Sequence, residues 1–509
     1  MTSRCLFCLL STPGGYDMIV FISDLHIGAA VPLLPGVGQS MTPSQRSLAP
    51  LQLQLPAGAV EGFYDDISRL ARDAGAKKVT LVLLGDIFDF IQTRVWLNRS
   101  KGAPQAWRHG DPEEDQVAEV MARIVWDNRA FFRAVSGRQS LSWEDEEGIA
   151  QEIQLERVYI PGNHDRLCNK HPRVRRFVDR VLGLHRSVAD APFDWQLNDS
   201  EHAVLARHGH VFDGENFAGR ALTDPGHLLT PVGDLLTVEI ASTLPDRMTS
   251  ILESFGRPPS PEITAGLKRD LEAMFSVPGF SALTWFWKRV VRRWRGGKCF
   301  IAAVWALAAL LWRFARRCLR LPRWFGRSWG QNVLWALRSA IVVSVVAALP
   351  LIAALMCWRV SALAIPLGRV LTDGARAIGA EVCALLLLWG PVIVRNPDRW
   401  LRKGARDDAK RSMKLAPDCV RYIVYGHTHH ALQELLTVCP DGRPIYYLNT
   451  GTWRQVIDLA GDNSDFASYK TLSYVVVYGQ AEQEKRLRDG QPRQYFEGWA
   501  GKLRDEECF

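Results

Sequence analysis

Five short stretches of this chain place Asp, Asn or His directly behind apolar runs, and these side chains are the ones that bind hard or borderline metal ions. In MIVFISDLHIG, Asp24 and His26 follow the run from Met18 to Ile22. In KKVTLVLLGDIFDF, Asp86 and Asp89 follow Val79 to Leu84. LERVYIPGNHDRL presents Asn163, His164 and Asp165, and HAVLARHGHVFDG carries His208 and His210. YIVYGHTHHAL sets His427, His429 and His430 behind Tyr422–Tyr425, so three of the 12 histidines fall within four positions. None of the five stretches offers Cys. Together they describe a dinuclear site built from oxygen and imidazole ligands, although Asp89 reads equally well as the cap of a following helix.

The elements that must position these groups follow from the apolar runs themselves. Short, β-branched and Leu-rich runs suit strands buried on both faces. Each polar group then sits at the C-terminal end of a strand, the edge where open α/β sheets collect ligands. Residues two apart in an extended segment project to the same side, which predicts that Asp24 converges with His26, and His427 with His429.

In order and wording, DLH, GDIFD, GNHD, HGH and GHTH resemble the motif set of the calcineurin-like metallophosphoesterases. The resemblance covers roughly residues 18 to 212 and 418 to 477, and YLNTGTW, from Tyr447 to Trp453, is similar to the family's last core strand and turn. It implies an α/β sandwich of two mixed β-sheets flanked by helices. It further implies one metal held by Asp24, His26 and His429, a second held by Asn163, His208 and His427, and Asp86 bridging them. The family often has HGD where this chain has HGH, so His210 stands as the alternative to His208, which is preferred. His430 is expected to pack or to meet solvent.

The implied chemistry is hydrolysis of a phosphoester or pyrophosphate bond by a hydroxide shared between two divalent cations about 3.5–4 Å apart. His164 resembles the family histidine that stabilises the transition state or protonates the leaving oxygen, with Asp165 orienting it. Neutral imidazole and carboxylate ligands suit manganese, which is favoured, as well as iron or zinc.

More than 200 residues separate His208 from His427, too many for a structureless loop. From Ala273 to Thr372 there are 15 Lys or Arg and no acidic residue, so the net charge of +8 belongs to this block and the rest of the chain is net acidic. Apolar runs at 299–312, 339–358 and 377–394 alternate with Arg clusters, and nine of the 18 Trp lie between Trp285 and Trp358, a mixture that a lipid interface selects. The 20 uncharged residues from Ser339 to Trp358 are long enough to span a bilayer as a helix. Because motifs on both sides must build one site, any crossings must be even in number. A hairpin pairing Ser339–Trp358 with Ala377–Val394 exports the fewest arginines. A soluble helical cap is the competing reading; nucleic acid is not expected as a partner, since an uncharged run has no use in a phosphate groove.

The expected organisation is an N-terminal extension at 1–17, the catalytic domain in two parts at 18–245 and 416–480, an inserted helical membrane-associating subdomain at 246–415, and a tail at 481–509. Residues 31–60 read as a mobile loop and 136–152 as an acidic surface excursion. The ten Cys show no paired framework and read as free thiols of a reducing compartment. The functional expectation is a membrane-associated phosphohydrolase, its catalytic domain cytoplasmic, acting on a lipid-linked or nucleotide-type substrate. The alternative is a membrane scaffold carrying an inactive domain.

Overall fold

A computed structural model describes residues 18–29, 57–93, 96, 112–138, 140–144, 149–188, 190–214, 216–217, 397–415, 420–439, 442–453, 455–459, 466–470 and 472–479, with single positions between 230 and 253 and at 309. Strand β1, Met18–Ile22, is buried along its whole length, as its unbroken apolar run requires. It pairs in parallel with β2, Lys78–Leu84, which pairs in parallel with β4, Ala150–Ile160. Antiparallel strands close both edges: β12, Val475–Tyr478, beside β1, and β3, Ser140–Glu144, beside β4.

A second sheet repeats the plan. Its centre is the parallel set β6, Val204–Ala206, β7, Tyr422–Tyr425, and β9, Pro444–Thr450; its antiparallel edges are β5, Leu197–Asp199, and β8, Ala431–Val438. A separate pair, β10, Gln455–Leu459, with β11, Phe466–Lys470, stands outside both sheets.

Alternation along β7 explains how the layers stack. Tyr422 and Val424 join the core shared with the first sheet, whereas Ile423 and Tyr425 join a second core on the opposite face. Helix α6, Pro397–Leu415, covers that opposite face with Leu401, Ala405 and Ala409. The first sheet is backed by α1, Ala57–Ala74, α2, Glu114–Asp127, α3, Arg129–Gly137, and α5, Pro172–Leu182, with the short α4, Leu167–Lys170, leading into α5. Ile22, Leu81 and Leu83 meet Val60, Phe63, Phe131 and Leu182 around a small apolar cavity at this contact. The chain is therefore α/β, with two mixed sheets and helices on their outer faces.

Several expectations need revision. The stretch read as a mobile loop at 31–60 ends inside α1, where Val60, Phe63, Tyr64, Ile67, Leu70 and Ala71 recur at helical spacing and are buried. The acidic excursion at 136–152 contributes β3, an edge strand in which Leu141 turns inward and Ser142 outward. Helix α6 falls within the range assigned to the insertion yet packs as a layer of the sandwich. Strand β9 is not the last core strand, because β12 returns to complete the first sheet. Apart from Ala309, the apolar runs at 299–312, 339–358 and 377–394 lie outside the described residues. Among the described residues, no helix is long and apolar enough to cross a membrane, and Cys168 and Cys439 are buried free thiols.

Candidate metal centre

The candidate ligands stand behind the C-terminal ends of β1, β2, β4, β6 and β7, all of them parallel strands. They converge by a local device that differs from simple strand alternation. Asp24, His26, Asp86, His427 and His429 all adopt positive φ, between 48° and 75°, a region that disfavours residues other than glycine. D-x-H and H-x-H thus share one backbone form, two left-handed residues flanking one ordinary residue. Strain of this kind persists where the surrounding structure holds it. The holding contacts are present: Asp24 N–H donates to Gly85 O at 3.1 Å, His26 N–H to Asp86 O at 2.8 Å, and His427 N–H to Asp24 Oδ2 at 2.9 Å.

Two clusters result, with Asp86 in the second and beside the first. In the first, Asp24, His26 and His429 bring ligand atoms within 4.8 Å of one another. The His26 and His429 Nε2 atoms face each other at 3.0 Å, with Asp24 Oδ1 at 3.3 Å from His429 Nε2. In the second, Asp86, His208 and His427 do the same. Asp86 Oδ2 lies 3.7 Å from His26 Nε2 and 3.1 Å from His208 Nε2, so one carboxylate oxygen faces both clusters. Its other oxygen accepts His164 N–H at 2.8 Å, which fixes the loop carrying Asn163 against Asp86. Asn163 is buried there.

Three of the four rings are oriented from behind, as ligating imidazoles usually are. His208 Nδ1–H donates to Leu84 O at 2.9 Å, which turns Nε2 toward Asp86. His26 Nδ1 faces Asp89 Oδ2 at 3.4 Å. His427 Nε2 meets Asp213 Oδ2 at 3.3 Å, and Asn216 Nδ2 donates to that same oxygen at 2.8 Å. Of the HGH pair, His208 belongs to the Asp86 cluster. His210 opens a 3-10 turn, His210–Phe212, and its buried ring stands behind the site, 5.4 Å from the His208 ring and beside Trp195 and Phe217. His430 is half exposed and meets Asp398 at 3.2 Å.

His164 forms a third group with His26 and Asp86, and its Nδ1 is 3.1 Å from Asp89 Oδ1. Asp89, read from sequence equally well as a helix cap, faces His164 and His26 instead, and no described helix follows it directly. Oδ1 also accepts the Ile91 and Gln92 amides at 3.0 and 2.8 Å. Asp165, expected to orient His164, instead accepts backbone N–H groups from Gly162 at 2.5 Å and Ile87 at 2.8 Å. It ties the β2 turn to the β4 turn. Asp213 was missed altogether: it stands near the end of the fourth stretch with no spacing that marks it, and the tertiary fold alone brings it to His427.

Electrostatics follow from this crowding. Burial alone would raise the Asp24 carboxyl, but the His208 charge and contacts from His26 and His429 hold it well below its usual range. Burial is likewise outweighed at Asp86, mainly by His208 and His164, and at Asp89, mainly by His164. His208 resists burial and is pushed up to about 10 by Asp86 and Asp24; His164 is pushed up to about 9 by Asp89 and Asp86. Asp165 rises to about 6 through burial and the Asp86 charge.

The donor set fits a pair of cations. Asp24 Oδ1 and Asn163 Oδ1 are buried and make no hydrogen bond, a costly condition for polar oxygens. Both are oxygen lone pairs, so a cation satisfies them where a hydrogen-bond acceptor does not. Comparison with known proteins found no matching family model, no matching curated protein and no matching solved structure.

Proposed function

We propose that this chain is a dinuclear-metal phosphohydrolase of the calcineurin-like kind, acting at a membrane surface on a lipid-linked or nucleotide-type phosphate. The observation that carries the reading is Asp86 Oδ2, which faces His26 of one cluster and His208 of the other. Asp24, His26 and His429 would hold one ion, and Asn163, His208 and His427 the other, with manganese favoured over iron and zinc. When bound, such a pair activates water for in-line attack and neutralises phosphate oxygens.

The chain's own residues supply the rest. His164, held protonated at neutral pH by Asp89 and Asp86, stands ready to donate a proton from Nε2 to a leaving oxygen while Asp89 holds Nδ1. Asp165 keeps the loop geometry through backbone amides and takes no direct part in proton transfer. The narrow set of lone pairs favours cations over organic cofactors.

The test is hydrolysis of aryl phosphomonoesters and diesters by manganese-loaded protein beside Asp86→Ala. Loss of at least about three orders of magnitude in kcat is expected, the scale of removing a group that both ions share. Equal turnover in both proteins rejects the assignment. Metal content separates this reading from an inactive scaffold: about two ions per chain are expected by the two-cluster arrangement.

A further inference from the structure

The outer face of α6 carries a charge pattern that the metal centre does not use. Arg399, Lys403, Arg406, Lys410 and Lys414 recur at spacings of four, three, four and four, so they form one stripe about 22 Å long. All five are exposed, while the opposite side buries Leu401, Ala405 and Ala409 against the second sheet. The only exposed acid on the helix, Asp407, lies four residues from Lys403 and three from Lys410, so it sets one negative charge against a stripe of five cations. Glu434 of β8 meets Arg406 at 3.0 Å and Arg402 at 3.2 Å, while Lys403, Lys410 and Lys414 stay exposed.

We infer that this stripe is a docking surface for anionic lipid headgroups, an inference that rests on the membrane-associated reading above. Two features choose lipid over other polyanions. The first is covalent. The apolar run 377–394 ends three residues before Pro397, so the start of α6 lies within about 11 Å of that run's end, whatever path the chain takes. A run inserted at a bilayer surface therefore delivers α6 to the headgroup layer. The second is composition. The ridge is a row of cations with one partly buried aromatic, Trp400, beside its start, a combination that suits an anionic lipid interface and lacks the series of stacking platforms that single-stranded nucleic acid selects.

Docking through α6 also orients the site. Asp398 in the first turn of α6 contacts His430, the neighbour of His429. The membrane-proximal end of the helix is thus the rim of the metal centre. A phosphate at headgroup depth meets the site without leaving the interface, which makes an amphiphile phosphate the substrate class this placement serves.

The test is sedimentation of the full chain with vesicles of phosphatidylcholine alone or mixed with phosphatidylglycerol, beside the triple variant Lys403→Gln/Lys410→Gln/Lys414→Gln. These side chains are exposed and lie outside the metal centre, so turnover of a soluble aryl phosphate by the variant stays at the wild-type level. Partition of the wild type onto phosphatidylglycerol vesicles is expected to exceed that of the variant by about tenfold or more at low salt, with the difference shrinking as salt rises. Partition onto phosphatidylcholine alone is expected to be the same for both. Equal partition of both proteins onto anionic vesicles overturns the inference. So does a wild type that ignores phosphatidylglycerol or that prefers a single-stranded oligonucleotide to it. Vesicle discrimination by a wild type with no phosphatase activity leaves the docking face standing and rejects the hydrolase reading alone.

Discussion

His427 has two ring nitrogens, and the one that meets Asp213 cannot also face a metal. A proton on Nε2, shared with Asp213, leaves the Nδ1 lone pair for the second ion, the tautomer-fixing arrangement common behind ligating histidines. Asp213→Asn is therefore expected to weaken the second ion by about 10–100-fold while sparing the first. Calorimetric titration with manganese reads this as a split into two affinities, and a uniform loss at both sites counts against it. His208 yields a prediction in pH. Its folded pKa, about 10, stands above the ordinary 6.5, so in metal-free protein its protonated pair with Asp86 stabilises the fold fully below about pH 6.5. That contribution is lost as pH rises toward 10. Metal must displace the same proton, so manganese affinity is expected to increase with pH across this window, with net proton release measurable in buffers of different ionisation enthalpy. The residue types of the site were legible because ligand chemistry restricts them to few kinds. Asp213 was not, since a carboxylate behind a ligand obeys no sequence spacing.

At the scale of elements, the strands were readable from their apolar runs: β1 and β7 begin and end where the sequence placed them. The turns were not, because strand alternation predicts the shared side of Asp24 and His26 but not the left-handed backbone that achieves it. The tight packing behind those turns makes Gly162 a sensitive point. A Cβ there would collide with the Asp86 carboxylate and lie 2.6 Å from the Asp86 backbone nitrogen. Gly162→Ala is expected to fold but to lose most metal affinity, read by metal content after dialysis, because Asp86 must shift to make room. Helix α6 was hidden for a different reason: its charge made it look like part of the basic insertion, and only its buried stripe reveals the packing. Asp408 of α6 fastens it, accepting Tyr425 OH at 2.5 Å and meeting Arg207 Nη2 at 3.0 Å, all within the interior. Removing one member of a buried pair strands the other charge, so Asp408→Ala is expected to cost about 3–5 kcal/mol in urea unfolding. Arg207 precedes His208 and Tyr425 stands two residues before His427, so the same change should also loosen the second ion.

For the whole molecule, the site joins parts of the chain that are far apart in sequence. Asp24 follows the first strand of one sheet and His429 the central strand of the other, yet they share a cluster, and β12 returns from the far end to pair with β1. Ser23 Oγ and Thr450 Oγ1 meet at 2.5 Å across the same seam, and Thr452 Oγ1 donates to Asp24 O at 2.7 Å. No local unit of the chain can form either cluster, so the clusters exist only when both sheets are folded and apposed. Ions that bind this state and not the unfolded chain must then stabilise the sandwich as a whole. At a free manganese concentration of about 100 times Kd the gain is about 2.7 kcal/mol per ion. A domain of this size converts each such kilocalorie into roughly 2–4 °C, so manganese is expected to raise Tm by roughly 5–10 °C per ion over the chelator-treated protein. His26→Ala and His208→Ala, which remove a ligand from one cluster each, should each forfeit about half of that rise, while Asp86→Ala should forfeit nearly all of it. A full rise in Asp86→Ala would mean that the ions bind elsewhere, and the seam between the sheets would then have some purpose other than holding metal.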